Sequence, residues 1–223
     1  MMKSLSRPAV AAGLATLCLV FVLAEAADAR PVRRGGLSQS EVILEGAAVQ
    51  PFGDLGADWT EPAGFAAGMG WDVGFRFRQR WRTGWAVSPS FHYVEFGNHL
   101  TDDAVEGLMD VGAKMYRYGV DVQYFFRTRY NDAPQFFLTF GAALVRNKLR
   151  IDFLDTDEYY DEGRNSVAGA AGLGVRMGIF EITGEYNLNR IRTSELTNFF
   201  QGVDDYDWHY AVLRVGIALP NSY

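Results

Sequence analysis

The chain has 223 residues, a formal charge of −6, three histidines and one cysteine. That length suits one domain with at most a short appendage. The negative charge argues against nucleic acid as a partner, because nucleic acid is bound by basic surfaces. Cys18 lies in an apolar leader, so the rest of the chain has no cysteine and no disulfide to stabilise it.

The first 29 residues have the pattern of a secretory signal peptide. A basic start precedes an apolar run over residues 9–23, and two Ala-x-Ala cleavage sites end at Ala26 and Ala29. The apolar run is shorter than the ~20 residues that a membrane-spanning helix needs. We therefore predict a signal peptide, a flexible lead-in and one domain, over residues 1–29, 30–40 and 41–223.

Period-two alternation dominates the rest of the chain and is clearest over residues 65–78. Its odd positions are all apolar, and its even positions carry glycine, alanine or charge. Successive side chains of a strand point to opposite faces, so this pattern predicts a strand with one apolar face. The same pattern predicts further strands near residues 116–126, 136–147, 167–179, 180–189 and 208–219, with weaker ones near 41–50 and 84–96.

The predicted connections alternate strictly between short and long. Short ones lie near residues 79–83, 127–135 and 178–180. Long, polar and acidic ones lie near residues 51–63, 97–110, 148–165 and 190–207. An even number of strands with all long loops at one end is typical of bacterial outer-membrane barrels. We predict an all-β fold, an eight-stranded antiparallel up-and-down transmembrane β-barrel with four acidic extracellular loops.

The size of the apolar side chains decides which face of the sheet is outside. The interior of an eight-stranded barrel is only just wide enough for side chains, so the bulky residues must face lipid. A soluble lipocalin-like barrel, with its apolar face inward, is the alternative. We also expect Pro89 to cause a bulge or local break in its strand. Aromatic girdles at the two membrane interfaces are predicted from Trp59, Trp81, Trp85, Trp208, Tyr93, Tyr124, Tyr130 and Tyr210.

Three segments carry a family resemblance: Gly-Ala-Ala-Val-Gln-Pro-Phe-Gly-Asp at 46–54, Gly-Met-Gly-Trp-Asp-Val-Gly at 68–74 and Leu-Arg-Val-Gly-Ile-Ala-Leu at 213–219. Over residues 41–219 the chain resembles the outer-membrane β-barrel superfamily that includes the OmpA transmembrane domain and the small OmpX-like and OmpW-like barrels. The resemblance implies a monomer in the bacterial outer membrane. Its implied partners are membrane lipid, lipopolysaccharide and, during biogenesis, the barrel-assembly machinery.

The inward face gathers equal numbers of acids and bases. Opposite charges in a narrow, low-dielectric interior are tolerated when paired, which favours a salt-bridged plug, with a selectivity or proton path as the alternative. The ten predicted members of this charge network are Glu45, Asp72, Arg76, Arg78, Arg117, Asp121, Arg176, Glu181, Glu185 and Arg214.

Ser90 and His92 share the inward face of the third strand, which raises a lipid A-modifying enzyme as a further alternative. A nucleophile and base must lie within hydrogen-bond reach, with an acid orienting the base. The sequence lacks both His-x-Ser-Asn and Gly-x-Ser-x-Gly. We therefore predict no catalytic residue, metal ligand or cofactor, and a structural or surface-interaction role, with a small-solute channel or transporter as the first alternative.

Overall fold

Eight strands form one closed antiparallel barrel in this computed structural model. The structure describes residues 39–57, 64–65, 67–98, 109–126, 134–153, 159–192 and 205–220. The strands are β1 (Gln39–Gly53), β2 (Ala67–Arg80), β3 (Trp85–Asn98), β4 (Met109–Phe125), β5 (Gln135–Phe153), β6 (Tyr159–Met177), β7 (Phe180–Arg192) and β8 (Asp205–Pro220). Each strand pairs with its neighbours in sequence, and β1 closes the barrel against β8. The predicted fold class is confirmed.

The two faces of the sheet have opposite chemistry, as the alternation predicts. Large apolar side chains such as Phe136, Leu173 and Leu213 are 60%, 65% and 59% exposed on the outside. Charged side chains such as Arg76 and Asp121 are buried inside. No helix in the described part of the chain is long and apolar enough to cross a membrane.

The barrel has two different ends. At the short-turn end, residues 81–84 and 178–179 connect β2 to β3 and β6 to β7. Gly84 and Gly178 have φ values of 94° and 63° there, a left-handed conformation that glycine adopts without steric cost. The opposite end, which we call the long-loop end, receives the connections that follow β1, β3, β5 and β7.

The predicted long loop over residues 148–165 is wrong in its extent. β5 continues to Phe153 and β6 begins at Tyr159, so most of that segment is a strand ladder. β4 likewise begins at Met109 rather than near residue 116. Outside the lipid-facing apolar band, the outer face of a strand need not be apolar. The pairing of β5 with β6 therefore continues beyond the residues whose apolar–polar alternation predicts a strand.

A bulge in β2 overturns the predicted outward position of Phe65 and Ala67. The register with β3 shifts between Gly68 and Trp71, where β2 contains one residue more than its partner. An extra residue in a strand moves every side chain beyond it to the opposite face of the sheet. Phe65 and Ala67 are therefore buried inside the barrel, at 1% and 5% exposure.

Pro89 interrupts its ladder without a bulge. The paired positions of β2 and β3 stop at Arg76 opposite Ser90 and resume at Gln79 opposite Val87 in the same register. Proline has no N–H to donate to a ladder, which accounts for a gap on that side. On its other side Pro89 lies opposite Val120 in an unbroken register.

The aromatic girdles form in part. Trp85 and Tyr124 contact each other on the outside near the short-turn end, with ring centroids 5.0 Å apart. Toward the long-loop end, Tyr93 lies 5.3 Å from Trp71 and from Tyr116. Trp81 is also exposed at the short-turn end, whereas Trp59 and Tyr130 lie outside the described residues.

Trp208 and Tyr210 were wrongly predicted to belong to a girdle. Both are buried inside the barrel, at 3% and 0% exposure. They share the inward parity of Arg214 on β8, so strand parity places them in the lumen even though they lie near a strand end.

Candidate functional site

All ten predicted members of the charge network point into the barrel. Nine are buried, and Arg176 keeps 14% of its side chain exposed. Inward parity accounts for this placement, but the contacts join strands that are distant in sequence. The network has two layers, one at mid-height and one nearer the short-turn end.

In the mid-height layer Arg76 is surrounded by carboxylates. Its Nη2 donates to Glu45 Oε1 at 2.8 Å and lies 3.7 Å from Glu185 Oε1. Its Nε lies 4.0 Å from Asp121 Oδ2. Asp121 also accepts from Arg117 Nη2 at 3.1 Å. One arginine thus links acids from β1, β4 and β7.

Arg214 makes the second set of mid-height contacts. Its Nε and Nη2 donate to Asp72 Oδ2 at 3.1 and 2.9 Å, and its Nη1 donates to Glu185. His92 lies between two further acids, with Nδ1 3.0 Å from Asp72 Oδ1 and Nε2 3.5 Å from Glu45 Oε2. The imidazole and Arg214 therefore share the Asp72 carboxylate.

The layer nearer the short-turn end is built on Arg78. Its Nη1 and Nη2 donate to the two oxygens of Glu181 at 2.8 and 2.7 Å, and its Nε donates to Gln123 Oε1 at 2.8 Å. Glu41 accepts from Arg78 at 3.4 Å and from Arg176 Nη1 at 2.6 Å. Glu41 thus bridges two cations on different strands.

Apolar side chains fill the two ends of the lumen. At the short-turn end Phe125 and Phe137 are 1% exposed, with ring centroids 4.8 Å apart. The Arg80 guanidinium lies 4.1 Å from the Phe125 centroid, a cation–π distance. At the long-loop end the Phe65 ring lies 5.2 Å from those of both Tyr206 and Trp208.

A closed ring of amide and hydroxyl hydrogen bonds lies below the long-loop aromatics. Asn147 Nδ2 donates to Ser166 Oγ at 2.8 Å, and Ser166 Oγ donates to Asn189 Oδ1 at 2.5 Å. Asn189 Nδ2 then donates back to Asn147 Oδ1 at 2.8 Å. This ring ties β5, β6 and β7 together inside the barrel.

A family model for the outer membrane protein beta-barrel domain matches residues 14–218. The chain belongs to this family. It is therefore a protein of the bacterial outer membrane. No curated protein sequence matches the chain.

Solved outer-membrane barrels are similar to the chain at low sequence identity. A major outer membrane protein from Thermus thermophilus is similar with a TM-score of 0.50 and 11% identity, covering 81% of this chain and 99% of its own. Ail, the attachment invasion locus protein of Yersinia pestis, is similar with a TM-score of 0.48 and 17% identity, covering 82% of this chain and 99% of its own. Neisserial surface protein A is similar with a TM-score of 0.47 and 16% identity, covering 82% of this chain and 97% of its own.

Within this outer-membrane barrel, Glu41 is a network member that the sequence reasoning missed. It has the same inward parity as Glu45 on β1 and is 3% exposed. Strand parity was the signal that would have identified it. His92 joins the network as well, through Asp72 and Glu45.

Ser90 and His92 both point into the lumen of the barrel, but no hydrogen bond between them is found among the described residues. His92 directs one ring nitrogen to Asp72 and the other toward Glu45. Ser90 Oγ is buried without a hydrogen-bond partner in the described structure. The described residues also contain no cluster of His, Asp or Glu suited to a metal ion.

Several buried polar atoms of the described lumen lack a hydrogen-bond partner. They include Arg76 Nη1, Arg117 Nη1, Asp121 Oδ2 and both amide atoms of Asn187. Buried polar atoms without a hydrogen-bond partner in the protein are commonly hydrogen-bonded to internal water. The lumen therefore offers binding positions for water between its aromatic ends.

Proposed function

We propose that this protein is a non-conducting outer-membrane scaffold with a structural or surface-interaction role. The observation that carries the proposal is the Arg78–Glu181 pair, which joins β2 to β7 through the lumen with both side chains at most 1% exposed. A solute passing this level must separate the pair. Breaking a buried ion pair costs about 3–5 kcal/mol.

The aromatic ends give independent support for a closed lumen. Phe125 and Phe137 lie beside Arg78 at the short-turn end, with Arg78 Cζ 5.0 and 5.8 Å from their ring centroids. Phe65 and Trp208 fill the other end. A permeating ion would lose its hydration shell at both levels, which is strongly unfavourable in apolar surroundings.

The long-loop end supplies the interaction surface. In outer-membrane barrels the long loops are extracellular and the short turns are periplasmic. The β5–β6 hairpin carries the sheet outward to Phe153 and Tyr159, with acidic residues in the segment between. We propose that four acidic loops displayed in this way contact surface partners. We further propose that the barrel is a monomer in contact with membrane lipid and lipopolysaccharide, inserted by the barrel-assembly machinery.

A small channel is the second candidate, favoured by the unpartnered polar atoms inside the lumen. Water bound at Arg117, Asp121 and Asn187 would form part of a proton or small-ion path. Single-channel recording from the refolded barrel in a planar bilayer separates the two functions. Stable conductance steps favour the channel, and their absence favours the scaffold.

We also propose that the protein is not an enzyme. Ser90 and His92 are buried in the lumen and lack the contact that would activate a nucleophile. Lipid A from cells overexpressing the protein should be unchanged in acylation by mass spectrometry. An altered acyl pattern that disappears in Ser90→Ala would refute this proposal.

A further inference from the structure

The outer face of β5 carries a row of basic side chains at the long-loop end. Arg146, Lys148 and Arg150 occupy three successive outward positions, and Lys114 of β4 lies directly opposite Lys148. The side chains of Lys114 and Arg150 are 41% and 59% exposed. This basic row contrasts with the charge of the whole chain, which is −6.

Only part of this charge is neutralised within the described structure. Lys114 Nζ lies 3.0 Å from Glu95 Oε1, and Arg150 Nε lies 2.8 Å from Asp152 Oδ2. Among the described residues no carboxylate forms an ion pair with Arg146 or Lys148. Lys114 and Lys148 lie directly opposite each other on adjacent strands, and Glu95 neutralises one of these two like charges. A bound anion would neutralise Arg146 and Lys148.

The row lies at the level of the membrane interface. Tyr116 is directly opposite Arg146, and Lys148 Nζ lies 5.7 Å from the Tyr116 ring centroid. Tyrosines at strand ends mark the lipid headgroup region. The next outward positions toward the middle of the barrel are Tyr118 and Leu144, which belong to the apolar band. The cations therefore begin where the band ends, in the leaflet on the long-loop side.

Two glycines leave open space beside the cations. Gly163 lies opposite Lys148, and Gly112 lies opposite Arg150. A Cβ at Gly163 would have only Asn147 O at 3.7 Å and the Arg146 guanidinium at 3.9 Å as its nearest neighbours. The open space beside Gly163 is thus lined on one side by the guanidinium of Arg146, and Lys148 lies opposite Gly163 on the neighbouring strand.

We propose that Arg146 and Lys148 bind a phosphate group of lipopolysaccharide in the outer leaflet. A guanidinium offers paired N–H donors that match phosphate oxygens, and an ammonium adds a mobile point charge. The proposal rests on the lipopolysaccharide contact proposed above and names the groups that make it. It does not depend on whether the lumen conducts, so the two proposals fail separately.

The test compares the wild type with R146Q/K148Q, both refolded in detergent and checked by the gel-mobility shift between unboiled and boiled samples. R82Q/R190Q is the matched control, because Arg82 lies in the short turn at 81–84 and Arg190 lies on β7 beside Asp207, both outside the row. Calorimetric titration measures binding of three probes: bisphosphorylated lipid A, chemically dephosphorylated lipid A and inorganic phosphate.

We expect wild type and control to bind bisphosphorylated lipid A about 10- to 30-fold more tightly than R146Q/K148Q, from two surface cations near an anionic headgroup. Wild type should lose a similar factor with the dephosphorylated lipid. Equal affinity of R146Q/K148Q and wild type would overturn the proposal, as would equal affinity for the two lipids. Inorganic phosphate binding as tightly as lipid A would show a free-anion site and would also overturn it.

Discussion

Arg78 and Glu181 form a two-point ion pair through the barrel interior, with N–O distances of 2.8 and 2.7 Å. They are 103 residues apart in sequence and belong to β2 and β7, which are separated around the barrel by β1 and β8. The pair therefore fixes the distance between two opposed parts of the wall, in addition to filling the lumen.

Removing one member of this pair should destabilise the barrel strongly. Glu181→Leu leaves the Arg78 guanidinium buried beside an apolar side chain, and the expected loss is about 3–5 kcal/mol of unfolding free energy. Equilibrium urea unfolding in lipid vesicles measures it. Arg150→Gln is the control, since its exposed pair with Asp152 should contribute at most about 1 kcal/mol. A loss for Glu181→Leu no larger than that of the control would show that the pair is not structurally important.

The double replacement Arg78→Met/Glu181→Leu should recover much of that loss. Apolar side chains of similar volume often replace a buried ion pair without net destabilisation. Arg78 also contacts Gln123 and Glu41, so recovery should be partial. The same urea titration gives the value. A double variant less stable than Glu181→Leu alone would contradict this explanation.

Packing of the lumen should make Gly174 sensitive to a single methyl group. A Cβ there would overlap the ring of Phe137, which closes the short-turn end. Overfilling a packed interior costs roughly 1–3 kcal/mol. Gly184→Ala is the matched control, because a Cβ at Gly184 meets no atom within 4 Å. Unfolding in vesicles should separate the two variants, and equal stabilities would argue against a tightly filled end.

A charged side chain on the lipid-facing band should destabilise the barrel by an amount that depends on its depth in the membrane. Leu173 is 65% exposed on the outside of β6, so Leu173→Arg places a guanidinium in hydrocarbon, with an expected cost of about 2–4 kcal/mol. Asn165→Arg, on the same face near the long-loop end, should cost at most about 1 kcal/mol. Folding yields in vesicles, read from unboiled gels, report the difference. Similar yields for both variants would place the hydrocarbon boundary elsewhere.

Sequence alternation was sufficient to predict which face of each strand is inside, because side-chain direction alternates with a period of two residues. It failed where a backbone irregularity or a change of surroundings intervened. The extra residue in β2 reversed the faces of Phe65 and Ala67, and β5 continued to Phe153 beyond the band that makes a strand recognisable.

The contacts inside the lumen could not be predicted in the same way. Parity places Arg78 and Glu181 on the inner face of the barrel. Their relative height depends on the stagger between strands, and the apolar–polar alternation of the sequence does not predict that stagger. Glu41 is different, because its parity on β1 matches that of Glu45 and is sufficient to place it inside. Trp208 and Tyr210 are the converse case, because their residue type is typical of a girdle whereas their parity on β8 places them in the lumen.

Single-channel recording tests the closed lumen most directly. The refolded wild type in a planar bilayer should give no stable conductance steps, because Arg78 and Glu181 occupy the lumen between aromatic ends. Arg78→Ala/Glu181→Ala combined with Phe125→Ala, checked for folding by gel mobility, opens the short-turn end alone and should also give no steps, because the Arg76 and Arg214 layer and the Phe65–Trp208 end stay closed. Stable, uniform steps from the wild type itself would contradict the scaffold and favour the channel.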